Sequence, residues 1–567
     1  MMWSLARLAA AVLLVSGTGC QKLQFLPFLK SPVDPGPQGW SRTVRGPAFA
    51  AAAPRGTIDT LADWAAYNRD PTTSQRYSPL AQITSANVGA LHPVCVAHLG
   101  EQAAMQSGPV VVGGTLYVTS AINTWAIDAA TCRLRWKHSY QYDPRPDYDL
   151  KVNRGVAFVD TPDGVRLVRG ANDGRVYALD AHSGDEVWNV RTGDVRRGET
   201  FPAAPVAWRD VVYIGNAGGD NYGVTGRMLA LDARTGATLW RAELVPRTGP
   251  ANLTWPAETD SVPRAGATTW TSYTLDTLRA LLYVPTGNAA PDFIEAVRPG
   301  TNDHSYSIVA IDARTGEIRR AYKLLESDVH DWDVAAAPLL VRSGAKRSLV
   351  IVAGKDGLVY GLQRESGAIL YRTPITRREN VDAPLTPQGT RFCPGVQGGV
   401  EWNGPAYSPR TNAVYVGAVD WCSTVQVDPP EKLEGKRGLP WTGSARLTQP
   451  FGRMDPKAEA RGWITAVDAD DGSVRWRHRT TTPIVAGITA TAGDVVFAAD
   501  LAGHVFGFDA VTGAERFRYD TGQPIGGGIV TYLVAGRQYV AVASGLHAPL
   551  SWQTESSPAT IVVLALP

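Results

Sequence analysis

YALDAHSGDEVW, from Tyr177 to Trp188, reads as a short strand, a tight turn and a returning strand. Asp180 is placed to accept hydrogen bonds from the turn's backbone amides, and Gly184 supplies the position that needs a positive φ. Trp188 is expected to pack back across the pair. The pattern recurs as WAIDAATCRLRW ending at Trp136, LALDARTGATLW ending at Trp240 and TAVDADDGSVRW ending at Trp476. Weaker copies are VAIDARTGEIRR around Asp312, YGLQRESGAILY around Gly367 and FGFDAVTGAERF around Asp509.

Most copies are spaced by roughly 40 to 50 residues, with two longer gaps, which is the period of a propeller blade. The gap between Gly367 and Asp468 covers about two such periods. It holds AYSPRTNAVYVGAVDWC, Ala406 to Cys422, which reads as a blade that has lost the motif. Seven copies and one degenerate blade predict an all-β fold: an eight-bladed β-propeller of four-stranded antiparallel blades with tryptophan-docking repeats.

A chain of 567 residues would ordinarily hold several domains, but a repeat array forms one. Its net charge of +2 is nearly balanced, so nothing calls for nucleic acid or an anionic membrane as partner. The N-terminus reads as a targeting segment: Arg7, the apolar run LAAAVLLVSG, small residues and then Cys20. That run is too short to span a bilayer. Gly-Thr-Gly-Cys is similar to a lipoprotein cleavage site, with an ordinary signal peptide as the alternative, so residues 1–20 are assigned as signal and Cys20 as a lipid-attachment candidate. Residues 21–57, rich in Pro and small side chains, read as a flexible tether, and 58–567 as the propeller.

Setting Cys20 aside leaves Cys95, Cys132, Cys393 and Cys422, an even number in a chain with an export signal. Spacing allows three pairings, of which Cys95–Cys132 and Cys393–Cys422 are favoured because each would tie neighbouring strands. No Cys-x-x-Cys-His occurs, which excludes covalent c-type haem on these residues.

The stretch WAAYNRDPTTSQRYSPLAQITSANVGAL, Trp64 to Leu91, opens the propeller. VNRGVAF (Val152–Phe158), VPTGN (Val284–Asn288), HDWD (His330–Asp333), GGVEWNGPAYSP (Gly398–Pro409) and TAGDVVFAADLAGHVFGFDAVTG (Thr491–Gly513) follow. In this order they resemble the quinoprotein alcohol dehydrogenases, eight-bladed propellers that bind pyrroloquinoline quinone and a metal ion. The resemblance implies a periplasmic dehydrogenase that passes hydride from an alcohol to the quinone. A separate electron acceptor, such as a cytochrome c, would take the electrons onward.

What the resemblance implies can be set against the chemistry such a cofactor needs. A planar, acidic ring system needs an aromatic floor and cationic or amide donors. Trp270 in GATTWTSY matches the floor, Thr268 a hydroxyl donor, Arg154 the cation at the acidic edge and Lys355 the cation near the reactive carbonyl. Gln106 stands where a glutamate usually contacts the cofactor, and Val485 where a further tryptophan is frequent. Tyr148, with Asp149, occupies the column of the family's vicinal disulfide and is a candidate cover for the ring. Hydride removal needs a carboxylate to take the hydroxyl proton, and a hard cation to polarise the quinone. Asp333 matches the base, which also lies near the metal, and Asn288 matches the amide ligand. In GGDNYGVTG, Asn221 fills the family's glutamate column with Asp220 beside it, so either could ligate. Ala335 replaces the second aspartate of the lanthanide-using branch, which favours calcium.

The competing reading is a non-catalytic propeller lipoprotein acting as a scaffold in envelope protein assembly. Fold alone does not separate the two. The long segment from Val425 to Gly462, charged and rich in Gly and Pro, is expected to form a loop over one propeller face.

Overall fold

In the computed structural model, the described residues are 40–49, 57–141, 151–259, 261–446, 448–549, 551–555 and 557–567. The signal segment, Cys20 and Tyr148 lie outside them.

Among the described residues, eight sheets of four or more strands follow one another along the chain. Blades 1 to 8 span 110–141, 157–191, 206–243, 274–323, 339–374, 406–480, 489–520 and 529–565. The repeat motif is in each case the turn between a blade's third and fourth strands. Asp180 Oδ1 accepts from His182 N and Ser183 N at 3.0 and 2.8 Å, and Gly184 has φ 76°.

Trp188 does not pack back across its own hairpin. Its indole Nε1 donates to Ala233 O, in the turn of the next blade, at 2.9 Å. A Cβ on Gly236 of that turn would come within 2.6 Å of the Trp188 ring. The dock repeats as Trp136 on Ala181, Trp240 on Ala313 and Trp476 on Ala510, at 3.2, 3.0 and 3.1 Å. Where the motif is weaker a tyrosine stands in: Tyr371 donates its hydroxyl to Ala469 O at 3.2 Å and Tyr322 to Arg364 O at 2.7 Å. The motif is therefore a staple between blades, each contributing about 1 kcal/mol from the hydrogen bond beyond the aromatic burial.

The motif-free blade is not the one expected. Ala406–Ser408 and Ala413–Asp420 pair with Arg461–Asp468 and Val474–Thr480, so they share a blade with the Asp468 copy. The double-length gap is one blade carrying a long insertion. The eighth blade is the C-terminal one, where Ile529–Val534, Arg537–Ser544 and Pro558–Ala565 are joined by His92–Gln102. Its outer strand comes from the other end of the chain, so no continuous turn links strands three and four and no motif can form there. This strand exchange closes the ring, and Tyr532 then donates to Ala129 O of blade 1 at 2.7 Å. Trp40–Arg45, within the expected tether, is a strand paired with Leu134–Gln141 as a fifth strand of blade 1.

The disulfides Cys95–Cys132 and Cys393–Cys422 are both formed. The first joins the outer strand of blade 8 to the motif turn of blade 1.

The opening stretch crosses the propeller axis. Ala62 O, Pro71 O, Thr73 O, Gln75 O and Arg76 O accept from Leu533, Leu275, Leu340, Tyr407 and Ala490 N at 2.7–3.1 Å, and Trp64 bridges to Val111. One run of chain reaches the first strands of six blades only if those strands surround a common axis. Buried Arg76 pins it through Ile488 O, Tyr67 O and Asn68 Oδ1.

Candidate active site

In an antiparallel blade, the chain entering the first strand and the chain leaving the second lie at the same end. The candidate residues all occupy those two positions. Gln106, Arg154, Trp270, Asp333 and Trp402 each lie three to six residues before the first strand of blades 1, 2, 4, 5 and 6, while Asn288 and Lys355 follow the second strands of blades 4 and 5. They converge above the axial segment, where Tyr67 donates its hydroxyl to Trp402 O at 3.1 Å.

At the centre is Asp333, 7% exposed. Its Oδ1 accepts from Asn288 N at 2.9 Å and its Oδ2 from Trp270 Nε1 at 3.1 Å. A Cβ at Gly287 would stand 2.5 Å from Asp333 Oδ1 and displace the carboxylate. Burial holds the Asp333 carboxyl above the usual range, against the opposing pull of Lys355, Asn288 N and Trp270. Lys355 Nζ sits 3.0 Å from Asp331 Oδ2 and 3.9 Å from Asp333 Oδ2. Burial works against the Lys355 charge, but Asp331, Asp333 and Glu401 outweigh it and raise its pKa. The loop carrying both aspartates is anchored by Asp328, which accepts from His330 N and Trp332 N at 3.0 Å each, and by His330 stacked on Trp332 at 4.1 Å.

Arg154 lies over the Trp270 ring at 4.6 Å and over Trp402 at 5.6 Å. It donates to Trp270 O at 2.7 Å and to Gln106 Oε1 at 2.6 Å. Its guanidinium is 1% exposed as a residue, yet Nε has no partner and no carboxylate reaches ion-pairing distance among the described residues. Burial lowers its pKa to about 10, with Tyr67 and Glu401 opposing. A buried cation short of an anion is costly. Trp270 itself is half-buried, whereas Trp402 and Trp552 beside it are buried. A half-buried indole with Arg154 over its ring, and with Lys355 3.9 Å from the carboxylate that its Nε1 bonds, fits a planar, acidic cofactor.

Thr268 Oγ1 accepts from Gly219 N at 3.1 Å, which ties the Trp270 loop to the loop of Asp220. Val485 is fully buried in the cluster of Trp402, Trp421 and Trp552 against which Trp270 packs. Of the two alternatives in GGDNYGVTG, Asn221 donates its amide to Gly218 O at 3.2 Å and packs on Gly198. Asp220 instead joins Asp292 and Asp331, their carboxylate oxygens lying within 4.8 Å of one another.

Sequence reasoning missed three acidic residues. Asp292, four positions after Asn288, reads as loop. Asp331 lies inside HDWD, where only Asp333 is given a role. Glu401, beside Trp402, is 4% exposed, and burial raises its pKa to about 7 against the pull of Lys355 and Arg154. The long segment from Val425 to Gly462 does reach this end of the propeller: Trp441 N donates to Asp220 O at 2.6 Å and Phe293 N to Thr442 O at 2.9 Å.

Residues 64–379 match the family model described as glucose/ethanol/alcohol dehydrogenase, beta-propeller domain, and residues 460–566 match that of outer membrane protein assembly factor BamB. The chain is 30% identical over 552 residues to a quinohemoprotein alcohol dehydrogenase of Comamonas testosteroni, covering 88% of this chain and 76% of the relative. It is 29% identical to methanol dehydrogenase [cytochrome c] subunit 1 of Methylobacterium organophilum, covering 83% and 82%. Among solved structures, quinohemoprotein alcohol dehydrogenase ADHIIG from Pseudomonas putida HK5 superposes with a TM-score of 0.80 at 26% identity, covering 91% and 83%. The first model spans more than half of the chain and includes Arg154, Trp270, Asn288, Asp333 and Lys355. With its eight blades and this site, the chain belongs to the pyrroloquinoline quinone-dependent alcohol and methanol dehydrogenase family.

Proposed function

We propose that the protein oxidises an alcohol or related hydroxyl compound in the periplasm, with pyrroloquinoline quinone and calcium as cofactors and Asp333 as the base. The observation that carries this reading is the hydrogen bond that joins the half-buried Trp270 indole to the Asp333 carboxylate at 3.1 Å. It fixes a proton acceptor at the edge of the surface on which a planar ring would stack. Trp270 would hold the ring, Arg154 and Gln106 its acidic edge, Lys355 its far side, and Thr268 the adjoining loop. When bound, the quinone supplies a two-electron acceptor for the hydride of the alcohol.

Asp333 receives the hydroxyl proton at Oδ2, the oxygen shared with Trp270 and nearest Lys355. Asn288 N and Trp270 Nε1 orient the carboxylate beforehand, so no reorganisation is needed when charge develops. The signal-like N-terminus supports export, with Cys20 as a lipid attachment, and electrons would leave to a separate acceptor such as a cytochrome c.

Titration of purified protein with pyrroloquinoline quinone, with and without calcium, followed by absorbance, tests the reading. Saturable, calcium-dependent binding is expected. Absence of binding under both conditions would favour the scaffold reading instead, to which the match over 460–566 also points.

A further inference from the structure

Three loops from blades 3, 4 and 5 bring Asp220, Asp292 and Asp331 together, with carboxylate oxygens within 4.8 Å of one another. A second observation turns this cluster into a site. Asp292 is 0% exposed, neither of its oxygens meets hydrogen-bond geometry among the described residues, and the Asn288 amide and Arg298 oppose its burial only in part. The neighbouring cations are committed elsewhere. Arg298 spends its guanidinium on Pro291 O, Asp292 O, Asn302 Oδ1 and Asp328 O. Lys355 is on Asp331 at 3.0 Å. An uncompensated carboxylate in a protein interior costs several kcal/mol. A burial this complete, aimed at two other carboxylates, is relieved by a proton or by a cation, and three converging carboxylates offer a cation its ligands.

We propose that Asp220, Asp292 and Asp331 are the carboxylate ligands of a hard divalent cation of the calcium class. This donor set replaces the one that the resemblance implies, in which Asn221 or Asp220 joins Asn288 and Asp333. All the donors are oxygens, which select a hard ion. Three carboxylates near the single ammonium of Lys355, which Asp333 also shares, leave an excess of negative charge that suits a divalent ion. Asp331 takes a left-handed backbone conformation, φ 60°, to present its side chain here. Asp333 is left outside the cage, held by Trp270 and Asn288 N, and so stays available to take a proton. Buried Trp441 donates its backbone N–H to Asp220 O, which ties the Asp220 loop to the long segment. The ion's part in alcohol oxidation rests on the quinoprotein reading, but its binding does not.

The test uses the full chain, stripped with chelator and free of quinone. Calcium is titrated calorimetrically, and terbium serves as a luminescent probe sensitised by the nearby tryptophans. A single ion should bind and raise the apparent melting temperature. Asp292→Asn and Asp331→Asn should each weaken calcium by at least about tenfold, whereas Asn221→Ala should leave its affinity unchanged. Metal-free Asp292→Asn should melt no lower than metal-free wild type, because a neutral amide of the same shape replaces a buried carboxyl; this separates loss of a ligand from loss of the fold. Wild-type calcium affinity in Asp292→Asn, or no calcium binding by the wild type, overturns the proposal. Metal binding without quinone binding would instead sink the quinoprotein reading and leave the cation site standing.

Discussion

Replacing Trp270 with phenylalanine keeps an aromatic face and removes one hydrogen bond. In the native site Asp333 Oδ2 accepts from Trp270 Nε1 at 3.1 Å, and the next cationic donor, Lys355 Nζ, is 3.9 Å away. A hydrogen bond to an ionised group contributes about 1.5–3 kcal/mol. At about 1.4 kcal/mol per pKa unit, its loss should raise the Asp333 pKa by about one to two units. Burial already holds this carboxyl above its usual range, and Trp270 is one of the groups that restrain it. The base acts only when deprotonated, so the acidic limb of kcat/KM should move to higher pH by the same amount. The assay is dye-linked alcohol oxidation across pH by wild type and Trp270→Phe, both saturated with quinone and calcium. If the acidic limb stays in place while the variant still binds quinone, either Asp333 is not the titrating base or the indole does not tune it.

Trp188→Ala should cost about 3–5 kcal/mol and lower the denaturation midpoint, whereas Trp188→Phe should lose only about 1 kcal/mol with the bond to Ala233 O; equal losses would mean that the inter-blade hydrogen bond dominates the dock. Glu401 holds its proton up to about pH 7, against 4.5 for an ordinary glutamate. The folded protein therefore binds the extra proton between those values, and stability that is complete below pH 4.5 is lost as pH rises through 7, by at most about 3 kcal/mol. Glu401→Gln should flatten that fall in the apparent melting temperature of cofactor-free protein, and parallel curves would contradict it. Removing Cys393 and Cys422 together, which close a loop of sequence separation 29, should cost about 3–4 kcal/mol, read as a drop in melting temperature.

The blades were legible because their signal is local. A turn that needs Asp180 at its start and Gly184 at positive φ, with an aromatic four residues later, is visible in one window of sequence. What the aromatic touches was not, because Trp188 docks on Ala233, in another blade. The closing blade escaped for the same reason: its outer strand, His92–Gln102, lies far from its partner Pro558–Ala565 in the chain. Trp40–Arg45 reads as tether because six polar and apolar residues carry no strand signal until Leu134–Gln141 pairs with them. Arg154, Trp270, Asn288, Asp333 and Lys355, which the resemblance singles out, come together at one end of the propeller. Asp292 is not singled out, since nothing in a sequence marks one aspartate of a loop as fully buried. Which of Asp220 and Asn221 faces Asp292 and Asp331 depends on backbone direction, which a one-residue step reverses without any change in composition.

The proposed activity depends on Asp333 taking the proton of an alcohol at a quinone-binding site. The direct measurement is steady-state oxidation of a primary alcohol by quinone- and calcium-loaded Asp333→Asn beside wild type, with bound quinone quantified in each. The variant should retain quinone and lose turnover by about a hundredfold or more. Near-normal turnover in the quinone-loaded variant would contradict this role of Asp333.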